Sequence, residues 1–245
     1  QPPCGRTSER DAGGGKGLSI MASAEGARAV GIGWEPAPTP GWVAPHLEAE
    51  FPGLSLATVE VDGRPGRSPE PVRRRLRDLS DRLFGAEAIR LRGRPIPWAY
   101  RVFFRQIGLD PDRDRTPVEQ LVLDRLQDGC FRSRGMPIDA LTIATIETGV
   151  ALRVFDADRL DGELCIRDAA PGEWLPGRSS ELATGTLTIA DASGPVGLLF
   201  GPTGRGRAVE RESRRFTIAA VGVGAVPMIA VEEALWIAAS ALEAA

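Results

Sequence analysis

The chain of 245 residues is 42% hydrophobic and carries a formal charge of −3, from 30 Lys and Arg against 33 Asp and Glu. That balance excludes a disordered polyelectrolyte and argues against a general nucleic-acid coat. With no charge-free apolar run of about 18 residues, no membrane-spanning helix is expected.

Residues 1–24 are rich in Gly, Ser and charge without periodicity, which predicts a disordered extension with Met21 as a candidate natural start. Gly13-Gly14-Gly15-Lys16 fails as a phosphate loop, because Gly17 stands where Ser or Thr would bind the metal and no strand precedes it. Residues 25–245 are expected to form one domain, 25–95 as its first part and 96–245 as the motif-bearing part. Residues 29–34 alternate as a strand, 42–51 read as a helix with the lone His46 on its surface, and 54–61 alternate again. Residues 71–83 form an amphipathic helix with Val72, Leu76, Leu79 and Leu83 inward and Arg73, Arg74, Arg75 and Arg77 in solvent.

Tyr100, Phe103, Phe104 and Ile107 recur at helical spacing, and Gly108 stops that helix. Thr116, Pro117 and Glu119 then spell a capping box that starts another, with Leu121, Leu123 and Leu126 as its predicted buried side. Residues 138–148 predict a short helix. Residues 151–155, 164–167, 186–190, 196–200 and 216–223 are strand candidates rich in branched side chains. Residues 201–207 read as an exposed loop, and Pro227 opens a last helix through Leu242 that buries Ile229, Leu235 and Ile237. Helices early and late with strands in between give an α+β pattern.

The chemistry narrows quickly. One histidine, outside the motif region, argues against a Ser-His or Cys-His triad. Cys4, Cys130 and Cys165 form no CxxC pair, which argues against a structural zinc site or a disulfide framework and fits a reducing, cytoplasmic setting. What remains is a set of carboxylates (Asp139, Glu147, Asp156, Glu173, Asp191) and arginines (Arg101, Arg125, Arg153, Arg167). Carboxylates can anchor an amino group, and arginines can hold a phosphate or an ester oxygen. Each has a plainer reading: Glu173 and Asp191 sit where carboxylates cap turns, and Arg101 and Arg125 can pair with Asp124 or Glu119. Lys16 is the only lysine, and the arginine-rich stretches 64–94 and 205–215 suit either a polyanion edge or ordinary solvated faces.

The motifs share an order. Tyr100-Arg101 and its apolar helix lead to Gly108-Leu109-Asp110-Pro111, then to the capped helix with Arg125-Leu126. Glu147-Thr148-Gly149, Phe155-Asp156, the stretch from Ile166-Arg167 to Gly172-Glu173, Leu187 to Asp191, Gly194-Pro195-Val196 and residues 215–226 follow. This succession resembles the B3/B4 domain, the editing module of the bacterial phenylalanyl-tRNA synthetase beta subunit, over roughly residue 26 to the end. The resemblance implies layered mixed β-sheets with outer helices and hydrolysis of an aminoacyl ester on mischarged tRNA in trans; the alternative is a non-catalytic module that binds an amino acid or RNA through the same pocket. It implies tRNA or aminoacyl-tRNA as partner, a small amino acid as a further ligand, no DNA, no membrane and no cofactor or metal. Thr145 matches the family's pocket threonine, in a segment about four residues shorter, while Ile146, Arg153 and Ala219 stand where the family has Asn, His and a side-chain-reading Glu. The implied site is therefore Thr145 and Arg153 as catalytic residues, with Arg125, Glu147, Asp156, Arg167 and Glu173 binding substrate. Tyrosine-selective editing is not expected, nor is synthetase activity from a chain of this length.

Overall fold

The computed structural model describes residues 37–243; the expected extension at 1–24 and strand at 29–34 lie outside them. Eight strands among the described residues form two four-stranded sheets. The first, in order β1 (Thr39–Pro40), β3 (Ser55–Asp62), β8 (Arg215–Gly222) and β4 (Ala151–Asp156), is antiparallel throughout. The second, in order β2 (Trp42–Val43), β5 (Cys165–Asp168), β6 (Leu187–Asp191) and β7 (Gly194–Leu198), is mixed, because β2 runs parallel to β5. The α+β class and its layered sheets follow.

Side-chain alternation along the first sheet sorts residues between two cores. Val59 and Val61 of β3, Phe216, Ile218 and Ala220 of β8 and Leu152 of β4 face the outer helices α2 (Glu70–Arg82), α6 (Ile138–Thr148) and α7 (Met228–Glu243). Leu56, Ala219, Val221, Ala151 and Phe155 face the other way. They meet Ile166, Ile189 and Val196 of the second sheet, Leu47 of α1 (Pro45–Glu50), and Tyr100 and Phe103 of α4 (Pro95–Gln106). Since β3 pairs with β8, residues before and after 95 share one sheet.

Several local expectations change. The predicted helix at 42–51 is only α1, because Trp42 and Val43 pair with Cys165 and Ile166 and Pro45 then starts the turn. Helix α4 begins five residues earlier than the aromatic pattern indicates, since prolines in a first turn break no intrahelical hydrogen bond. A short helix, α3 (Gly85–Leu91), was not predicted; it buries Ala88 and Leu91. Helix α5 (Pro117–Asp128) has its capping box but buries Val118, Glu119 and Val122, while Leu126 is 46% exposed. Ile229 is likewise exposed, on the first turn of α7. The loop at 201–207 is not simply exposed: Gly204 N donates to Val196 O at 2.7 Å and Arg205 N to Pro176 O at 2.6 Å. His46 lies on the surface with Nε2 2.8 Å from Asp168 Oδ1. No helix of the described residues is long and apolar enough to cross a membrane.

Candidate functional site

Strand β4 is an edge of its sheet, and a cleft of about 480 Å³ runs beside it. Two helices wall the cleft with stripes at i, i+3, i+4, i+7: Pro117, Gln120, Leu121 and Asp124 from α5, and Ile138, Leu141, Thr142 and Thr145 from α6. Leu152, Arg153, Phe200 and Gly201 complete the floor, with Arg115 and Arg134 at its sides. Gly149, at φ +80°, ends α6 and turns the chain into β4; a Cβ there would lie 3.0 Å from Pro97 Cδ. This turn sets Thr145 and Arg153 on adjoining walls.

Thr145 is 4% exposed, and its hydroxyl makes no hydrogen bond among the described residues. The neighbouring Thr142 hydroxyl differs, donating back to Ile138 O at 2.9 Å. Arg153 points to the second-sheet side of β4, opposite Ala219 in the ladder. Its Nη1 donates to Leu198 O at 2.6 Å and Leu199 O at 3.3 Å, its Nη2 donates to Thr203 Oγ1 at 2.9 Å, and the guanidinium carbon lies 5.8 Å from the centre of the Phe155 ring. The close approach to β7 is made beside a glycine: a Cβ on Gly197 would sit 3.2 Å from Nη2 and press on it. No carboxylate among the described residues pairs with Arg153, and burial pulls its pKa down to about 10, which leaves it protonated at neutral pH. The carboxylate in the cleft is Asp124, which accepts from Gln120 Nε2 at 2.7 Å and Arg134 Nη2 at 3.0 Å.

Helix α4 supports this floor. Phe200 packs against Tyr100, Phe103 and Phe104 with ring centroids 6.0, 5.9 and 5.1 Å away. The buried Tyr100 hydroxyl donates to Val221 O and accepts from Ala151 N at 3.0 Å. Arg101, 2% exposed, binds Glu119 at 2.7 Å and Asp112 at 2.8 Å and so fixes α4 to α5.

The structure thus brings Thr145 and Arg153 together and leaves the other five candidates outside the cleft, each engaged elsewhere. Arg125 clamps Ser80 O through Nε at 3.2 Å and Nη2 at 2.8 Å, joining α5 to α2. Glu147 accepts from Arg75 Nε at 2.9 Å and from its Nη2, so Arg75 is not purely a solvated residue. Asp156 accepts from Asp158 N at 3.1 Å and Ser213 Oγ at 2.6 Å, and Arg159 Nε lies 3.2 Å away. Arg167 and Glu173 hold each other at 2.6 and 2.7 Å, and Ala170 N donates to Glu173 at 2.8 Å. Asp191 caps Ser193 N and Asp161 N at 2.9 Å each, as its turn position indicates. Among the described residues, no group of three or more His, Cys, Asp or Glu is placed to hold a metal ion. Gln120, Asp124, Thr142 and Phe200 are cleft residues that the sequence reading did not select, because the leucines of α5 drew attention to another face of that helix.

Residues 99–226 match the family model of the B3/4 domain. The phenylalanine–tRNA ligase beta subunit of Tropheryma whipplei is 34% identical over 117 residues, covering 46% of this chain and 11% of that subunit. The subunit of Thiobacillus denitrificans is 38% identical over 91 residues, covering 36% and 12%, and that of Streptomyces avermitilis 34% over 94 residues, covering 37% and 11%. The chain therefore spans about a tenth of the length of these relatives.

Proposed function

Since the chain belongs to the B3/4 domain family, we propose that it acts on the aminoacyl end of tRNA, hydrolysing the ester of a mischarged tRNA in trans. The relatives are named as phenylalanine–tRNA ligase beta subunits, which places their work on tRNA. The observation that carries the reading is the juxtaposition of an unpartnered Thr145 hydroxyl and a cationic Arg153 in one cleft. Thr145, with the terminal ribose hydroxyls of the substrate, orients a water molecule. The water oxygen adds to the ester carbonyl carbon, Arg153 stabilises the oxyanion, and collapse breaks the bond to the ribose oxygen, which takes one of the water's protons while the other passes to solvent. The product amino acid leaves as a carboxylate. No histidine base is required, because positioning and charge stabilisation supply most of such a rate.

A second reading, a module that binds without turnover, is favoured by the resemblance, in which Ile146 and Ala219 replace polar residues; both are buried, at 4% and 0% exposed, and neither lines this cleft. Purified protein and a panel of mischarged tRNAs separate the two. Catalytic release of amino acid supports hydrolysis, and Arg153→Ala should then lower kcat by about 10²-fold or more with a smaller change in KM. Saturable binding with no release across the panel overturns it in favour of the binder. Tyrosyl-tRNA should be a poor substrate: Ala219 stands where the resemblance expects the Glu that reads a phenol hydroxyl, and a buried hydroxyl left unpaired costs about 1–3 kcal/mol.

A further inference from the structure

A guanidinium has five N–H donors, and Arg153 spends three of them on the protein. Nη1 serves the Leu198 and Leu199 carbonyls and Nη2 serves Thr203 Oγ1. Nε has no partner among the described residues, and Nη2 retains one hydrogen. These two nitrogens form one edge of the planar fork, the edge that meets a carboxylate with two parallel hydrogen bonds. Arg75 uses the same edge on Glu147, Nε to Oε1 and Nη2 to Oε2. At Arg153 the corresponding Nε has no partner among the described residues and Nη2 has only Thr203 Oγ1, so donors on this side remain for a ligand.

The charge is also unanswered. Three arginines (Arg115, Arg134, Arg153) and one aspartate line the cleft, and that aspartate is held by Arg134 and Gln120. A part-buried cation without a counter-ion carries a desolvation cost that an incoming anion relieves. The Leu198 and Leu199 carbonyls and the Thr203 hydroxyl fix the fork in position, so little ordering is needed when a ligand arrives.

We propose that the open edge of Arg153 is a binding site for the carboxylate of a free amino acid, which occupies the cleft in the ground state and competes with aminoacyl ester. The proposal rests on the reading of this cleft as the substrate site. It extends that reading, because ester hydrolysis leaves a full carboxylate where the oxyanion formed, so the product is retained by the residue that helped to make it. Free amino acid thereby reports on and restrains the protein's activity.

The test is calorimetric titration of the full chain with the twenty free amino acids, their carboxamides and inorganic phosphate, at fixed ionic strength. At least one amino acid should bind saturably, and its carboxamide should bind at least tenfold more weakly, since the amide removes the charge that the fork reads. Arg153→Gln should lose at least tenfold. Because that change also disturbs the tie to Leu198, Arg153→Lys provides a second variant: it keeps the charge without the fork edge and should also lose about tenfold. Failure of every amino acid to bind, equal binding of acid and amide, undiminished affinity in Arg153→Lys, or phosphate binding tighter than any carboxylate would each overturn the proposal. Carboxylate binding without deacylation would sink the hydrolytic reading alone, whereas deacylation unaffected by free amino acid would sink only the proposal made here.

Discussion

Tyr100 is the only tyrosine of the chain and 1% exposed, and its hydroxyl joins Val221 O to Ala151 N, which are register partners in the β4–β8 ladder. Tyr100→Phe keeps the ring and its packing but deletes one donor and one acceptor in a dry site. Losing two hydrogen bonds at about 1 kcal/mol each, and leaving a buried N–H without that partner, predicts a destabilisation of about 2–4 kcal/mol. With a urea m-value of about 3 kcal/mol/M, the midpoint should fall by about 1 M at unchanged m. Burial also pushes the phenol pKa well above its ordinary 10.0. The folded value then exceeds the unfolded one, so this stabilisation is fully present below pH 10 and is lost as pH rises further. Phenolate absorbance, which only this residue can give, should therefore appear together with loss of tryptophan fluorescence structure, and the alkaline limb of stability should be flatter in Tyr100→Phe. A variant within about 0.5 kcal/mol of the parent, inside the range of ordinary surface substitutions, would refute the reasoning. So would phenolate forming near pH 10 in folded protein.

Glu119→Ala strips the main partner from the buried Arg101 and should cost about 3–5 kcal/mol by chemical denaturation, whereas Arg101→Met with Glu119→Leu should recover most of it. The Arg167 guanidinium holds the Glu173 carboxyl below its usual 4.5, so this pair's contribution is present above that pH and lost as pH falls below it; Glu173→Gln should flatten the acid limb of a stability series. Gly197→Ala sets a Cβ 3.2 Å from Arg153 Nη2 and 3.3 Å from Pro202 O, and should weaken amino-acid binding about tenfold at a stability cost of about 1–3 kcal/mol; unchanged affinity would show that the fork adjusts.

What could be read before any coordinates was the local part of the problem. The capping box at Thr116 and Glu119 and the bounds of α6 depend on neighbours within a few residues, and both stand. The strands at β4 to β8 were found within about two residues, because branched residues between turns leave little alternative. The inward side of α5 was misjudged for a physical reason: leucines dominate the pattern, but the helix buries Val118 and Val122 and turns Leu121 toward the cleft. Pairing of charges was the least legible. Arg75 and Glu147 are 72 residues apart, and Arg125 and Ser80 are 45 apart, so only the crossing of α2 with α5 and α6 decides that they meet. Arg101 and Glu119, 18 apart on successive helices, were the readable case.

That distribution separates scaffold from site. Arg125, Glu147, Asp156, Arg167, Glu173 and Asp191 all use their polar capacity on the protein itself, so substrate would have to break a hydrogen bond or ion pair to engage them. Thr145 and Arg153 keep capacity in reserve: one has an idle hydroxyl and the other, beyond its ties to Leu198, Leu199 and Thr203, an idle Nε, and both line the same cleft. An idle polar group in a low-dielectric position is a cost that packing alone would remove, for example by Val at 145 or Met at 153. The double variant Thr145→Val with Arg153→Met should accordingly keep the native fold while losing both carboxylate binding and deacylation. If it folded and retained either, the idle groups would be incidental, and the site would have to be sought among the residues that the protein already employs.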